Sequence, residues 1–287
     1  MSNILEVKDL SVDFKDFSLK SISFNLPTGS IMGFVGQNGA GKTTTIRLIL
    51  NMLKRSSGEI RLFGLDNIAN EVEIKQNLGV LFDNIFFNDS WKIKELEIAI
   101  KGFYESWDSK LFKQYVDKFD LPFNKKIKDL SRGMKIKTML AVAMSHNAKL
   151  LILDEPTSGL DPVARNELLD IFREYIADGE RSILFSTHIT SDLEHAAEYI
   201  TLIDNGRVFY SGTTNDLINN YFIVRGKPDI LSSELEKNII GLTINQTVFV
   251  GMVKSSMLQD IPKEIATGIP SIDEILVYIS KGIHKNE

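Results

Sequence analysis

The amino-acid sequence predicts an α/β fold with three additions to its core: an antiparallel β subdomain, an inserted α-helical subdomain and a small C-terminal α/β appendage. Short apolar runs of buried-strand type, such as Ile31–Val35 and Leu150–Leu153, alternate with segments of helical periodicity. Residues 84–130 interrupt this alternation with helical spacing, many aromatic residues and few glycines. From about residue 221 the chain offers strand-like pieces and a closing amphipathic helix.

Each further element follows from a local pattern. Leu5–Leu26 alternates apolar and polar residues loosely, as paired strands do. The other predicted elements are a helix at Lys42–Leu53, a strand at Glu59–Phe63, a helix at Pro162–Ala177, a strand at Ser182–Ser186, a helix at Ser191–Ala197, a hairpin of Thr201–Ile203 and Arg207–Tyr210, strands at Phe222–Arg225 and Thr247–Val253, and a helix at Ser271–Ile283. We therefore predict one domain over residues 1–220 and an accessory domain over residues 221–287.

The composition is that of an ordinary globular protein and argues against several classes of function. Of the 287 residues, 43% are hydrophobic and 25% charged, so we expect a sizeable core rather than disorder. The net charge of −5 does not suggest a nucleic-acid binder, which is usually basic. The lack of cysteine excludes a disulfide framework, a thiolate metal site and a cysteine nucleophile. Neither a signal-peptide pattern nor an apolar run of roughly 18 residues is found, so in a membrane process we expect another polypeptide to form the pore.

A glycine-rich segment between a predicted strand and a predicted helix gives the strongest chemical signal. It fits the phosphate-loop pattern G-x-x-x-x-G-K-[ST]. The candidate nucleotide-binding residues are Gly36, Asn38, Gly39, Ala40, Gly41, Lys42, Thr43 and Thr44. Glycines let backbone N–H groups turn inward and approach phosphate oxygens closely. We expect Lys42 to reach the β- and γ-phosphates and the Thr43 hydroxyl to ligate Mg²⁺, which predicts a P-loop NTPase core.

Two acidic residues end the apolar run Leu150–Leu153. At the carboxyl end of a parallel strand, Asp154 and Glu155 can both face the nucleotide crevice. Asp154 is a candidate ligand of Mg²⁺, and Glu155 is a candidate general base that polarises the attacking water. An isolated Leu-Asp-Glu is more often a solvated acidic turn. The phosphate loop upstream and the segment Pro156–Asp161 downstream favour the catalytic interpretation.

Further motifs accompany the phosphate loop and the two acids. Leu130-Ser131-Arg132-Gly133-Met134 ends the helical insert, Ser158–Asp161 follows the acids, and His188 follows an apolar strand. In this order the motifs resemble those of ATP-binding subunits of ABC (ATP-binding cassette) transporters. The first resembles the signature Leu-Ser-Gly-Gly-Gln, the second the D-loop, and His188 the switch histidine that contacts the γ-phosphate. Phe14 matches the aromatic residue that stacks on adenine, with Phe17 as a nearby alternative.

The resemblance implies an ATPase that uses ATP and Mg²⁺. It also implies a head-to-tail pair of ATPase subunits, identical or different, in which the signature of one subunit covers the γ-phosphate held by the other. Here Ser131 and the Gly133 backbone would supply that signature contact, and Asp161 of the D-loop would lie at the nucleotide.

Transmembrane permease subunits are the implied partners, and a peripheral position on the cytoplasmic face of the membrane is the implied location. No nucleic-acid partner is expected. The aromatic helical insert is the expected docking surface, although we expect most of its aromatic residues to form its own core and a minority to line a docking groove.

Two positions depart from the family pattern. After the strand Leu78–Phe82 the family has a glutamine that contacts Mg²⁺ and the attacking water, whereas this chain has Asp83, followed by Asn84. We assign Asp83 to the site as a catalytic and Mg²⁺-contacting residue. A shifted register would give this role to Asn84, or Asp83 would only cap a turn. The signature also ends in Met134 instead of glutamine, and both departures are expected to affect turnover or coupling.

Within the family, the turn Phe14–Phe17 and the segment Thr157–Pro162 are similar to those of ABC-2-type exporters. These include exporters of antimicrobials and amphipathic peptides, phenol-soluble modulins among them. The expected function is therefore the ATP-hydrolysing motor of such an exporter. A soluble ABC-type ATPase acting on DNA or ribosomes is the alternative, and a nucleotide kinase or GTPase would leave the signature unexplained. The appendage is either a packing flap or a contact for dimerisation or regulation.

Overall fold

The computed structural model describes residues 2–82 and 87–283. The chain divides into two compact units, Met1–Ser211 and Gly212–Glu287. The division falls inside a strand that runs from Arg207 to Thr213, earlier than the sequence-based boundary at residue 220.

The strands of the first unit form two sheets. In chain order they are β1 (Asn3–Asp13), β2 (Ser18–Pro27), β3 (Ile31–Val35), β4 (Ser57–Leu62), β5 (Leu65–Asp66), β6 (Leu78–Leu81), β7 (Leu150–Asp154), β8 (Ser182–Thr187), β9 (Tyr199–Asp204) and β10 (Arg207–Thr213). An antiparallel sheet has the order β2-β1-β4-β5, and a larger sheet has the order β10-β9-β3-β8-β7-β6. In the larger sheet, the strands from β9 to β6 are parallel neighbours. This is the predicted α/β core with its antiparallel β subdomain.

The helices of the first unit connect these strands. They are α1 (Lys42–Ile49), α2 (Glu71–Gln76), α3 (Ile93–Ile100), α4 (Ser109–Lys118), α5 (Arg132–Met144), α6 (Pro162–Tyr175) and α7 (Thr190–Ala196). The helix α1 ends before the predicted Leu53, since Asn51 has a left-handed φ of 55° that an α-helix cannot contain. The inserted helical region, α3 to α5, extends beyond residue 130 because Ser131 caps α5 at its start.

One cluster of buried apolar side chains joins both sheets to α1. Leu10 and Ile22 contribute from the antiparallel sheet, Phe34 and Ile152 from the larger sheet, and Ile46 from α1. Burying one such side chain fully contributes about 1.5–3 kcal/mol. The cluster thus fixes β3, β7 and α1 relative to one another, and these elements lead into the candidate site.

The second unit is a small α/β structure with its own core. Its elements are α8 (Thr214–Asn219), β11 (Tyr221–Gly226), α9 (Ser233–Asn238), β12 (Ile240–Ile244), β13 (Phe249–Lys254), β14 (Ala266–Gly268) and α10 (Ile272–Ile283). The strands form an antiparallel sheet in the order β12-β13-β11-β14. Val224, Leu235 and Phe249 are buried together at its centre.

Candidate active site

The loops that carry most of the candidate residues leave the same edge of the larger sheet. The parallel strands β3, β7 and β8 end in register, with Val35 opposite Thr187 and Asp154 opposite Ser186. The carboxyl ends of parallel strands lie at one edge, where open α/β sheets bind their ligands. This edge therefore brings together the phosphate loop after β3, Glu155 after β7 and His188 after β8.

The phosphate loop turns sharply and leads directly into α1. Gly39 and Gly41 have φ values of 83° and 112°, in the left-handed region that favours glycine. A Cβ atom at Gly41 would also lie 2.5 Å from a methyl group of Leu19. Because α1 begins at Lys42, its unpaired N–H groups and positive dipole end would attract an anion at this loop. The other predicted binding residues here are Gly36 and Ala40, which are buried, Asn38, which is exposed, and Thr44, which is half-buried.

The ammonium group of Lys42 lies inside the loop. Its Nζ donates to the carbonyl oxygens of Gly36 and Gln37 at 2.8 and 3.2 Å and forms an ion pair with Glu155 Oε1 at 3.2 Å. Only 6% of Lys42 is exposed, and a buried ammonium group is tolerated only when it is well paired. These three contacts hold the positive charge where a nucleotide phosphate would lie.

Glu155 is held between Lys42 and the histidine that follows β8. Its Oε2 accepts a hydrogen bond from Nδ1 of His188 at 2.8 Å, and its backbone N–H donates to Ser186 Oγ at 2.9 Å. Glu155 has a φ of 51°, a backbone conformation that costs of order 1–3 kcal/mol in a non-glycine residue. The surrounding contacts offset that cost and direct the carboxylate towards the phosphate loop.

The Asp154 carboxylate lies next to the hydroxyl groups of Thr43 and Ser186, and together they present oxygen atoms suited to Mg²⁺. Its Oδ2 accepts from Thr43 Oγ1 at 2.8 Å, and its Oδ1 accepts from Ser186 Oγ at 2.6 Å. Carboxylate and hydroxyl oxygens are the hard ligands that Mg²⁺ prefers, and the ion usually completes its shell with water and substrate phosphates. Across the part of the chain that the structure describes, no cluster of three or more His, Cys, Asp or Glu side chains could hold a metal by itself. The residues present therefore fit a Mg²⁺ ion that is bound together with a nucleotide.

Ser186 is a residue of this site that the sequence analysis missed. Its hydroxyl contacts both acids, donating to the Asp154 carboxylate and accepting from the Glu155 backbone. A signal was available, because Ser186 follows three apolar residues of a buried strand and a buried hydroxyl needs a hydrogen-bond partner.

The structure separates the two aromatic candidates for the adenine contact. Phe14 is 47% exposed, whereas Phe17 is partly buried and packs against the core of the first unit. The Phe17 ring lies 3.0 Å from the position that a Cβ of Gly41 would take. The backbone N–H of Phe14 donates to the Phe17 carbonyl at 2.8 Å, so the two residues share one turn, in which the Phe14 ring is the accessible one.

The signature segment packs against the D-loop segment of the same chain. Ser131 caps α5 by accepting from the Met134 N–H at 3.2 Å, and Arg132 Nε donates to the Ser158 carbonyl at 2.6 Å. A Cβ at Gly133 would lie 3.7 Å from the Leu160 side chain.

Asp161 lies close to this contact and caps α6. Its carboxylate accepts from the N–H groups of Ala164 and Val163, which hold the pKa of Asp161 below its ordinary value. Asp83 and its alternative Asn84 lie outside the described residues.

An apolar groove of about 650 Å³ opens beside the inserted helical region. Phe87, Phe103 and Tyr104 are among the residues that line it, and Phe103 is 74% exposed. Other aromatic residues of the insert form its core, as expected: Phe112 and Phe119 are buried, and the Trp107 ring packs against Phe112. Within residues 2–82 and 87–283, no helix is both long enough and apolar enough to cross a membrane.

The fold and the site define an α/β protein with a phosphate loop, built to bind and hydrolyse a nucleotide. The family model for ABC transporters matches residues 19–158. The ABC transporter ATP-binding protein NatA of Bacillus subtilis is 31% identical, over 70% of this chain and 83% of its own length. The bacitracin transport ATP-binding protein BcrA of Bacillus licheniformis is also 31% identical, over 72% of this chain and 69% of its own. The lantibiotic transport ATP-binding protein SrtF of Streptococcus pyogenes is 29% identical, over 77% and 98%.

A solved structure described as the ATP-binding subunit of an ABC transporter superposes with a TM-score of 0.68 and 28% identity, covering 75% of this chain and 91% of its own. The chain therefore belongs to the ABC transporter family as an ATP-binding subunit, and it is an ATPase. ATP-binding subunits of this family work with transmembrane permease components.

Proposed function

We propose that this subunit drives an ABC-2-type exporter of peptides, antimicrobials or other amphipathic compounds, with phenol-soluble modulins among the candidate substrates. The observation that carries this proposal is the likeness to subunits named for bacitracin and lantibiotic transport. Both names refer to antimicrobial peptides. The residues of the candidate site supply the motor, and the permease supplies the contacts with the substrate.

The chain's own residues bind the nucleotide in three places. The N–H groups of the phosphate loop and the Lys42 ammonium hold the β- and γ-phosphates. Thr43 and Asp154 would hold Mg²⁺, which would offset the phosphate charge. Phe14 stacks on the adenine ring.

Hydrolysis follows from the position of Glu155. When the γ-phosphate replaces the carboxylate as the partner of Lys42, Glu155 becomes available to a water molecule. Glu155 accepts a proton from the water while the water oxygen bonds to the γ-phosphorus. The bond between that phosphorus and the ADP oxygen breaks. His188 orients the carboxylate through its 2.8 Å contact and reaches the γ-phosphate. Asp83, or Asn84 in the shifted register, would complete the contacts with Mg²⁺ and the water.

A second ATPase subunit, identical or different, completes each site in a head-to-tail pair. Ser131 and the Gly133 N–H lie at the start of α5, where a helix attracts anions, and Asp161 lies on the adjoining loop. In our proposal these groups cover the γ-phosphate that the partner holds.

The variant Ser131→Arg should therefore abolish ATP-dependent dimerisation and hydrolysis while leaving ADP binding unchanged. Ser109→Arg, at the start of α4, is the matched control. Normal hydrolysis by Ser131→Arg would exclude the shared site.

The permease is proposed to dock in the apolar groove, which would hold the subunit peripherally on the cytoplasmic face of the membrane. A helix of apolar chemistry fits this lining, and the family's permease partners supply such helices. Phe103→Ser should abolish co-purification with the permease and leave ATP hydrolysis by the isolated subunit intact. Ile98→Ser, which changes a similarly exposed residue of α3 outside the groove lining, should change neither property.

Export can be tested directly with inverted membrane vesicles that contain the subunit and its co-purified permease. ATP should drive bacitracin or a lantibiotic into the vesicle lumen, whereas vesicles with Glu155→Gln should accumulate neither. If the wild-type vesicles hydrolyse ATP but move neither peptide, the proposed substrate class is wrong and the assignment as an ATPase stands.

We further propose that residues 221–287 act as an accessory domain rather than as part of the nucleotide site. The separate core around Val224 and Phe249 supports this division. Removing the segment should leave ATP binding intact and weaken association of the nucleotide-free subunits. Loss of ATP binding in a folded truncated protein would contradict the division.

A further inference from the structure

A buried carboxylate lies behind the candidate site and has no part in the mechanism described above. Asp192, on α7, is fully buried. Its Oδ2 accepts from Thr157 Oγ1 at 2.6 Å and from Thr187 Oγ1 at 3.3 Å. Its Oδ1 lies 3.8 Å from Arg165 Nε on α6, too far for a hydrogen bond. Oδ2 thus links the segments that carry Thr157 and Thr187, and Oδ1 faces the guanidinium group of Arg165.

The two threonines belong to the segments that carry the catalytic pair. Thr157 is two residues after Glu155, and Thr187 immediately precedes His188. Glu155 and His188 meet at 2.8 Å, so their relative position depends on the two backbone segments from which they extend. Asp192 accepts a hydrogen bond from each of these two segments, through Thr157 and Thr187.

The helix that carries Asp192 is itself fixed on the larger sheet. Leu193, the next residue, packs where β3 has Gly33, and a Cβ at that glycine would lie 2.1 Å from the leucine Cδ2. Thr187 Oγ1 additionally accepts from the Ile189 N–H at 3.0 Å, which ties the start of α7 to the end of β8. The Asp192 carboxylate is therefore carried by a helix that packs against β3, the strand that leads into the phosphate loop.

Burying a charged carboxylate at this position costs free energy, because the ionised group loses its contacts with water. Burial raises the pKa of Asp192, and the Thr157 hydroxyl, the Arg165 charge and the Thr187 hydroxyl act in the opposite direction. A buried ion pair is weak evidence for a gain in stability over apolar residues of the same volume. Its hydrogen bonds to two site-bearing loops suggest a role in geometry instead.

We propose that Asp192 is a positioning residue for ATP hydrolysis, which holds Thr157 and Thr187 so that Glu155 and His188 act on one water and one phosphate. The inference rests on the roles proposed above for Glu155 and His188. Asp192 does not touch the nucleotide, so its loss should affect the chemical step and spare the binding of ADP.

The test compares Asp192→Ala with Asp192→Asn in the full-length chain. Misplacement of a catalytic group by about 1 Å can cost on the order of 100-fold in rate, so we expect Asp192→Ala to lower kcat by roughly 10- to 100-fold. ADP affinity, measured by calorimetry, should stay within about threefold, a change of less than 1 kcal/mol. Asparagine keeps an oxygen that accepts from both threonines, so its kcat should lie between those of the parent and Asp192→Ala.

Two further variants separate positioning from stability. Thr157→Val removes one hydroxyl while Asp192 keeps Thr187 as a partner, and it should lower kcat in the same direction. If Asp192 acts through Thr157, combining Asp192→Ala with Thr157→Val should lower kcat by less than the product of the two single fold-changes. The matched control is Thr201→Val, which removes another buried hydroxyl in the same unit, on β9, and should leave kcat unchanged.

Three results would overturn the proposal. These are an unchanged kcat in folded Asp192→Ala, a parallel loss of kcat, ADP affinity and Tm, or equal damage from asparagine and alanine. Should Asp192→Ala fail to fold, Thr157→Val and Asp192→Asn decide the question in the same way. Full hydrolysis by Glu155→Gln would instead remove the proposed base, and a lowered kcat in Asp192→Ala would then show that Asp192 positions a different group.

Discussion

Replacing Lys42 by methionine tests the phosphate loop most sharply. Methionine keeps most of the aliphatic stem and removes the charge and all three N–H donors of the ammonium. In the structure those donors face the carbonyls of Gly36 and Gln37 and the Glu155 carboxylate. Glu155 keeps His188 as a partner in this variant, so the remaining carboxylate is not left without compensation and the fold should persist.

The expected loss of affinity follows from the bonds that Lys42 can offer. A hydrogen bond to a charged group contributes about 1.5–3 kcal/mol. One such bond to a phosphate therefore corresponds to about 10- to 150-fold in Kd. Titration calorimetry with ADP measures this loss without interference from hydrolysis, and circular dichroism reports whether the variant is folded.

Lys149→Met is the matched control for this experiment. Lys149 is exposed and immediately precedes β7, at the opposite end of the strand from Asp154. Its replacement should leave ADP affinity unchanged. If folded Lys42→Met binds ADP within threefold of the parent, or if Lys149→Met weakens binding equally, the loop does not hold the phosphates as we describe.

Two further outcomes can be measured on the isolated chain. Phe14→Ala should weaken ATP binding by about 1 kcal/mol, at the low end of what base stacking contributes, whereas Phe17→Ala should chiefly lower Tm; the reverse pattern would make Phe17 the adenine contact. His146 is buried, which lowers its pKa, so the unfolded chain binds more protons and Tm should fall as the pH drops below about 6.5. His146→Asn should reduce that slope, and an unchanged slope would assign it to other groups.

Most of the fold could be predicted because its signals are local. The apolar run Ile31–Val35 has no polar residue, and β3 begins and ends where the sequence predicts. The hairpin turn Asn205-Gly206 has φ values of 45° and 70°, which these residue types favour. The end of α1 was missed because Asn51 adopts a left-handed conformation, and no local pattern requires it there.

The composition of the site was easier to predict than its internal contacts. A motif names Lys42 and Glu155, but it does not say that they pair at 3.2 Å. The roles of Ser186 and Asp192 depend on residues more than 30 positions away, which only the assembled sheet brings near. For a related reason, the sequence could not say which aromatic residues of the insert are core, such as Phe112, and which line the groove, such as Phe103.

The most direct test of our account is the effect of Glu155→Gln on ATP hydrolysis and ATP binding, measured on the same protein. Glutamine keeps the size of the side chain and can still accept from His188, but it cannot take a proton from water. General-base catalysis contributes typically 100- to 10,000-fold, so kcat should fall by about that factor. ATP affinity should be equal or higher, because Lys42 no longer pairs with a carboxylate. Hydrolysis at the parental rate by folded Glu155→Gln would contradict the assignment of Glu155 as the base.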